Sequence, residues 1–394
     1  MRVASLRLSA RSAVQAPNVL ADALEVARAH CDVVDLTDSN PTRHGLTDPA
    51  IADVLARHLS EAMSYEPDPK GWRPAREALA ARFGGHPDDY WLTASTSEAY
   101  SWLLMALGDA GDSVASPMPG YPLIEPLAKL ASMTTAPYHS YYVHPSGWEL
   151  DLDSVAATTR DPQVRALVMV NPNNPTGAYV SAEDAGVIGE WCAAEGVPVI
   201  ADEVFRPYAI EAPAPTPPLA STLGGSGVVI TLDGLSKLLA APQLKLGWLR
   251  VSGPASLTGA LAERLDAIAD AYLSVNSPVA CALPELLGLA HTTVERVTAR
   301  CQTNLRTLRQ LGDTVRVRRT DGGWVGLVDL PPVDNDDSTT LELLRRGVSV
   351  HPGWFYDLCD AHIIAVSLLL EPTAFTTALS RVDLSSLLSE WRNW

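Results

Sequence analysis

The sequence predicts an α/β fold: a large domain with a mostly parallel central sheet sandwiched by helices, plus a smaller α+β domain. Three observations predict it. Short apolar runs alternate with helical stretches through the middle of the 394 residues, the order that builds a parallel sheet. Several runs (Ala166–Val170, Pro198–Ala201, Val228–Leu232) are apolar on both faces, as strands covered by helices on two sides must be. From about Pro254 the alternation gives way to long helical patterns and a few separate strands. The sequence has no repeat of solenoid or propeller length.

In chain order, strands are expected at Asp32–Leu36, Trp91–Thr93, Ser113–Ser116, Ala166–Val170, Pro198–Ala201, Val228–Leu232 and Leu246–Val251. Helices are expected between them at Ser97–Leu107, Ile124–Leu130 and Ala182–Glu195. The Pro-rich stretch Ala212–Ala220 reads as a surface loop, because the alternation resumes directly after it. Two helices follow, over 254–273 and 279–311, with a break near Asn276–Pro278. Then come a strand at Gly322–Leu330, a helix near Thr340–Arg346 and a strand at Ile363–Leu369. The expected division is an N-terminal segment, 1–48, joining the small domain; a large domain, 49–275; and a small domain, 276–394.

Composition excludes several classes. With 29 Lys+Arg against 46 Asp+Glu the formal charge is −17, so the chain lacks the basic face that nucleic acid or an anionic membrane requires. A hydrophobic content of 47% is too high for an acidic disordered chain. No stretch approaches the ~20 apolar residues of a membrane span. The first twenty residues are interrupted by Arg, Ser and Gln and lack the apolar centre of a secretion signal. A soluble, cytoplasmic protein is the expectation. The five cysteines (Cys31, Cys192, Cys281, Cys301, Cys359) are scattered without a CxxC pair or a companion His cluster, so neither disulfides nor a metal site is expected.

Of the 29 basic residues only Lys70, Lys129, Lys237 and Lys245 are lysines. A chain this rich in arginine keeps a lysine where a primary amine is needed, because a guanidinium cannot deprotonate and attack a carbonyl. Lys70 and Lys129 read as ordinary surface residues. Lys237, in Leu232-Asp233-Gly234-Leu235-Ser236-Lys237, follows a buried strand, at the sheet edge where open α/β sheets bind ligands. A second strand ends in Asp202-Glu203-Val204-Phe205 and a third in Asn171-Pro172-Asn173-Asn174-Pro175-Thr176-Gly177. A fourth runs through Ser95, Thr96 and Ser97 into a helix, whose N-terminal N–H groups suit a phosphate. An amine, a carboxylate, an amide and a phosphate cradle on one edge is the set that a pyridoxal phosphate enzyme needs.

In this order and spacing, with Asp202 28 residues after Asn174 and Lys237 35 residues after Asp202, the chain resembles the class I/II aminotransferases, which are fold type I pyridoxal 5'-phosphate enzymes. The resemblance runs from Asp35 to about Glu371. It implies that Lys237 forms the internal aldimine and shuttles the proton on the way through an external aldimine and a quinonoid, and that Asp202 pairs with the pyridinium nitrogen. It implies that Asn174 bonds the phenolic oxygen, with a cis Asn174–Pro175 peptide. Ser95, Thr96, Ser97, Ser236 and Lys245 fall on the phosphate side, and Tyr121 in PMPGYPL matches the aromatic that stacks on the ring. Tyr65 resembles the tyrosine that reaches the phosphate from a neighbouring subunit, so a homodimer is implied.

Four departures from the pattern stand out. Ala365 occupies the place of an arginine that grips the substrate carboxylate as a bidentate fork. Phe205 stands where a tyrosine donates to the phenolic oxygen, Gly234 where a serine binds phosphate, and Lys245 where an arginine does. Substitute substrate anchors are sought in Asn40 and Arg43 of SNPTRHGL, in Arg73 and in Arg206, with Arg43 preferred. Trp102 and Trp324 read as packing. The expected function is an aminotransferase acting on an amino acid or other amino-bearing metabolite. The alternative, motivated by Ala365, is a lyase or cyclase (elimination, replacement or decarboxylation) on the same cofactor. A non-enzymatic scaffold ranks third, since a relic loses its lysine first.

Overall fold

Most of the apolar runs become parallel strands whose C-terminal ends share one edge. The computed structural model describes residues 6–13, 18–223, 225–311, 315–330, 336–358 and 362–382; Cys359 lies outside them. After a short strand β1 (Val34–Asp35) come β2 (Tyr90–Thr93), β3 (Ser113–Met118), β4 (Thr134–Val143), β5 (Gly147–Leu150), β6 (Val164–Val170), β7 (Val199–Asp202), β8 (Val229–Gly234) and β9 (Gly247–Ser252). These eight, β2 to β9, form one sheet in the order β2-β9-β8-β7-β6-β3-β4-β5. Pairing is parallel from β4 through β3, β6 and β7 to β8, and antiparallel at β9 and β5. Because β2 is antiparallel to β9 in turn, the C-terminal ends of β2, β3, β6, β7 and β8 lie along one edge.

Both faces of this sheet are covered at its centre, which is why its central strands are largely apolar. Ile200, Ile230, Leu232 and Leu249 pack with Tyr100, Trp102 and Leu103 of the helix Thr96–Leu107 and with Leu261 and Leu265 of the helix Ala255–Tyr272. On the other face Leu167, Val199, Ala201 and Val229 pack with Ile188 and Cys192 of the helix Ala182–Glu195.

The smaller sheet comprises β10 (Arg316–Val317), β11 (Val325–Asp329), β13 (His351–Pro352) and β14 (Ile363–Ser367), ordered β10-β11-β14-β13 and antiparallel throughout; β12 (Val348–Ser349) precedes β13 and pairs with β1 in parallel. The segment after β1 then crosses towards the large sheet. Ser367 N–H donates to the Leu36 carbonyl (2.7 Å) and Thr47 Oγ1–H to the Ala240 carbonyl (2.6 Å).

The sequence reading omits the helices Val19–His30, Ala50–His58, Arg73–Phe83, Leu152–Thr159 and Pro372–Arg381, and two further differences have a local cause. The hairpin β4–β5 was not anticipated, since Thr134–Val143 carries Pro137 and His139 and is only partly buried; it is not a continuous apolar run. The helix expected over 279–311 is two, Ser277–Leu286 and Ala290–Arg309, joined by a tight turn at Leu287–Leu289. Pro284 has no N–H to give the helical ladder, and Gly288 follows in the turn.

Candidate active site

The site grows from the ends of β6, β7 and β8. β8 runs directly into the short helix Leu235–Leu238, which carries Lys237. Tyr208 O–H donates to the Lys237 carbonyl (2.5 Å) and fixes that turn. The Lys237 Nζ lies 4.7 Å from the Trp324 ring centroid and 5.1 Å from that of Phe205. Burial brings its pKa down to about 8, against the opposing pull of the Asp202 carboxylate. A substantial neutral fraction at physiological pH is what a nucleophilic or proton-abstracting amine requires.

Asp202 closes β7, buried. Tyr100 O–H donates to its Oδ2 (2.9 Å) and Val204 N–H to its Oδ1 (3.2 Å). Burial pushes the carboxyl up from its ordinary value, while these two donors and Lys237 pull it down. Neighbouring Glu203 faces elsewhere: its Oε1 accepts from Leu219 N–H (2.8 Å) and its carboxylate pairs with Arg206.

The loop after β6 is held by its other asparagines. Asn171 Oδ1 accepts from Val180 N–H (3.0 Å), and Asn173 Oδ1 accepts from Thr176 while its Nδ2 donates to the Pro119 carbonyl (3.2 Å). Asn174, preceding a cis Pro175, is left with a buried Oδ1 that has no partner. Asn174, Pro175, Phe205, Gly322, Gly323 and Trp324 line one narrow cleft. A buried amide oxygen without a partner costs stability and marks a group kept for a ligand.

At β2, Ser95 is the N-cap of the helix Thr96–Leu107, its Oγ accepting from Glu98 N–H (3.2 Å). Thr96 and Ser97 occupy the first turn. Gly247 brings β9 close against them: a Cβ there would sit 3.1 Å from Thr96 N. At Gly234 a Cβ would meet Gly247 Cα at 3.1 Å, so the serine expected by resemblance is replaced by backbone-to-backbone packing. Lys245, exposed and in the left-handed region (φ 51°), directly precedes Leu246 and Gly247. Ser236 is half-buried beside Lys237.

The remaining candidates divide. Tyr121 is half-exposed, its ring 6.5 Å from that of Tyr356. Tyr65 is 76% exposed, on the rim of a separate cavity of about 410 Å³ that also touches Trp102, Leu273 and Ser274. Arg43 is exposed and pairs with Asp38 (3.3 Å). Asn40 is spent on capping, its Oδ1 accepting from Thr42 N–H and Oγ1–H. Arg73 is not brought to the group: it pairs with Glu77 and Asp88, and Asp88 precedes the first residue of β2, at the opposite sheet edge. Arg206 is held by Glu203 and directed at the Thr216 carbonyl. Ala365, 1% exposed, pairs with Leu327 and His351 and shares a core with Val325, Tyr356 and Leu358.

Three residues were missed or under-read. Tyr100 and Tyr208 look like core aromatics in the sequence, and Trp324 reads as packing. Trp324 does pack, but its ring also walls Lys237. The signal that could have found Tyr100 is its position four residues after Thr96, on the same helical face. Among the described residues no cluster of His, Cys, Asp and Glu suits a metal, and no helix is long and apolar enough to cross a membrane.

Comparison with known proteins agrees with this fold. The family model "Aminotransferase class I and II" matches residues 32–365. Alanine aminotransferase of Mycobacterium tuberculosis is 30% identical over 67% of this chain and 62% of its own length, so the match spans less than two thirds of that relative. Glutamate-pyruvate aminotransferase AlaA of Escherichia coli is 30% identical over 71% of this chain and 69% of its own. Among solved structures, an alanine aminotransferase from Pyrococcus furiosus superposes with a TM-score of 0.87 at 22% identity, covering 98% of this chain and 100% of that one. With a family match across most of its length and a fold to agree, the chain belongs to the class I and II aminotransferases.

Proposed function

We propose that this chain is a pyridoxal 5'-phosphate-dependent aminotransferase acting on a small amino-bearing substrate. The observation that carries the reading is a buried lysine amine, Lys237 Nζ, walled by Trp324 at 4.7 Å and Phe205 at 5.1 Å and within the field of the buried Asp202 carboxylate. The residues present fit the cofactor. The unpartnered Asn174 Oδ1 leaves an amide side chain to meet a polar ring substituent. Gly247 carries no side chain to crowd Thr96 N, where a Cβ would sit at 3.1 Å, so the helix N-terminus that begins at Ser95, Thr96 and Ser97 keeps its N–H groups for a phosphate; Ser236 and Lys245 are the further phosphate ligands proposed. Bound there, the group supplies an aldehyde that captures amines and a ring that withdraws electrons.

The chain's own contribution follows. Asp202 would pair with the ring nitrogen, Asn174 would hold the phenolic oxygen and Tyr121 would cover one face of the ring. Lys237 Nζ, in its neutral form, would take the proton from the substrate carbon that bears the amine and hold it as the ammonium for its return. Trp324 and Phe205 exclude water from that nitrogen. When bound, the group would accept the two electrons and the amino group that the substrate carbon gives up, with water supplying the oxygen of the carbonyl product.

A homodimer supports this site. Leu59, Met63, Tyr65, Met105, Tyr272 and Leu273 are exposed large apolar residues. Tyr65 and Leu273 border the cavity of about 410 Å³. A second copy covering this face would place Tyr65 across the interface.

A lyase or cyclase on the same scaffold is the second reading, favoured by the surroundings of Ala365. His351 stacks on Phe355 at 4.3 Å and its Nδ1 lies 3.2 Å from Tyr356 Oη, so an aromatic, uncharged cluster stands beside that position. This favours a substrate whose carboxylate is absent or masked. The deciding experiment mixes the loaded enzyme with an amino donor and no acceptor. One equivalent of oxo product per site supports transamination; continued turnover supports elimination or cyclisation.

A further inference from the structure

We infer that Tyr100 is a positioning residue for Asp202, directing that carboxylate at the ring nitrogen of the bound cofactor. The inference rests on the cofactor reading given above and assigns a role to a residue outside the expected set.

The geometry begins with the carboxylate's own bonds. Tyr100 O–H donates to Oδ2 at 2.9 Å and Val204 N–H to Oδ1 at 3.2 Å. Each oxygen therefore has one fixed donor and keeps a lone pair for another. Two donors on different elements, one from a helix and one from the backbone beyond β7, fix both the tilt and the rotation of the carboxylate plane.

The hydroxyl has no structural reason to be there otherwise. Tyr100 is 1% exposed, packed among Ala99, Trp102 and Leu103, where a phenylalanine would fill nearly the same volume. Placing a hydroxyl in such surroundings is unfavourable unless it is bonded. The neighbouring Tyr138 hydroxyl is already committed to the Val168 carbonyl (2.8 Å). Burial and the adjacent carboxylate both raise the Tyr100 pKa well above its ordinary value, so it remains a proton donor across the working range.

The helix adds a second consequence. Thr96 and Tyr100 are four residues apart on one helical face, roughly 6 Å along the axis. The same rod therefore carries the phosphate cradle at its N-terminus and the hydroxyl that aims Asp202. The two ends of the ring site are set by one rigid element, so a shift of the helix at the phosphate end is transmitted to the carboxylate.

The test uses the apo chain and pyridoxamine 5'-phosphate, which lacks the aldehyde and binds without joining Lys237, alongside its 1-deaza analogue, in which carbon replaces the ring nitrogen. Affinities are read by fluorescence titration. Tyr100→Phe is expected to weaken the natural ligand roughly tenfold, the size of a lost hydrogen bond to a charged group, and to leave the deaza analogue within about twofold. In an Asp202→Asn background the same substitution is expected to change neither by more than about twofold. Retained affinity for the deaza analogue also reports that the variant is folded. Equal weakening of both ligands would reduce Tyr100 to packing and overturn the inference, as would no weakening of either. Failure of the parent chain to bind either ligand would instead overturn the cofactor reading itself.

Discussion

The Lys237 Nζ faces the ring of Trp324 at 4.7 Å, with Phe205 forming the other wall at 5.1 Å. Trp324 comes from the loop before β11 of the small sheet, whereas Lys237 follows β8 of the large one. The amine is therefore kept dry by a residue from the other sheet, and its low pKa depends on the two packing together.

The apo chain should capture pyridoxal 5'-phosphate faster as pH rises, with a midpoint near 8, because only the neutral amine attacks. Asp202→Asn removes the charge that opposes the burial effect, so the midpoint moves down. Trp324→Ala admits water, so the midpoint moves up towards the ordinary lysine value, with a stability loss of about 3–5 kcal/mol. Stopped-flow absorbance across pH 6–10 reads all three; a midpoint indifferent to both substitutions contradicts this electrostatic account.

Asp233 offers a stability test outside the chemistry. Burial pushes its carboxyl up to about 8. Between the ordinary aspartate value and 8 the folded chain binds a proton that the unfolded chain releases, so this group lowers stability as pH rises through that window. Asp233→Asn is expected to be more stable than the parent at pH 8, on the order of a few kcal/mol, and to match it near pH 4. Thermal unfolding at both pH values checks the sign.

The arginines separate by place. Arg73→Ala should leave kcat/KM for every amino donor within about twofold and cost at most ~1 kcal/mol of stability, as loss of exposed ion pairs does. Arg43→Ala should do the same if the substrate carboxylate is absent or masked. A tenfold loss confined to donors with a free α-carboxylate would make Arg43 the anchor instead. Steady-state kinetics on matched amines and amino acids decides this.

Charge placed in the exposed apolar face should separate the copies. Met63→Glu combined with Leu273→Glu is expected to give a monomer in sedimentation equilibrium with at least about tenfold weaker cofactor affinity, since burying unpaired carboxylates in an interface is strongly unfavourable. A monomeric parent chain would refute the interface.

Much of the site was legible because its chemistry stands at strand ends. Lys237, Asp202 and Asn174 each follow an apolar run that could only be a buried strand, so the topology had to bring them to one edge. Tyr100 was only weakly legible: its spacing of four from Thr96 puts it on the face of the phosphate turn, but a tyrosine inside an apolar helix face reads as core until its hydroxyl is seen on Asp202. Trp324 hid for a related reason: its contact with Lys237 spans two sheets, and no local pattern encodes that. Arg73 misled because its neighbourhood in sequence, next to Trp72 and β2, says nothing about which edge of the sheet it occupies. The hairpin β4–β5 escaped since its strands lie at the rim of the sheet, where burial does not impose a continuous apolar run.

The most direct measurement is to load the chain with pyridoxal 5'-phosphate, reduce it with borohydride and map the modified peptide by mass spectrometry. The account predicts one cofactor per chain fixed on Lys237, and none after Lys237→Ala. A cofactor fixed on Lys70, Lys129 or Lys245 instead, or no fixed cofactor at all, would contradict it.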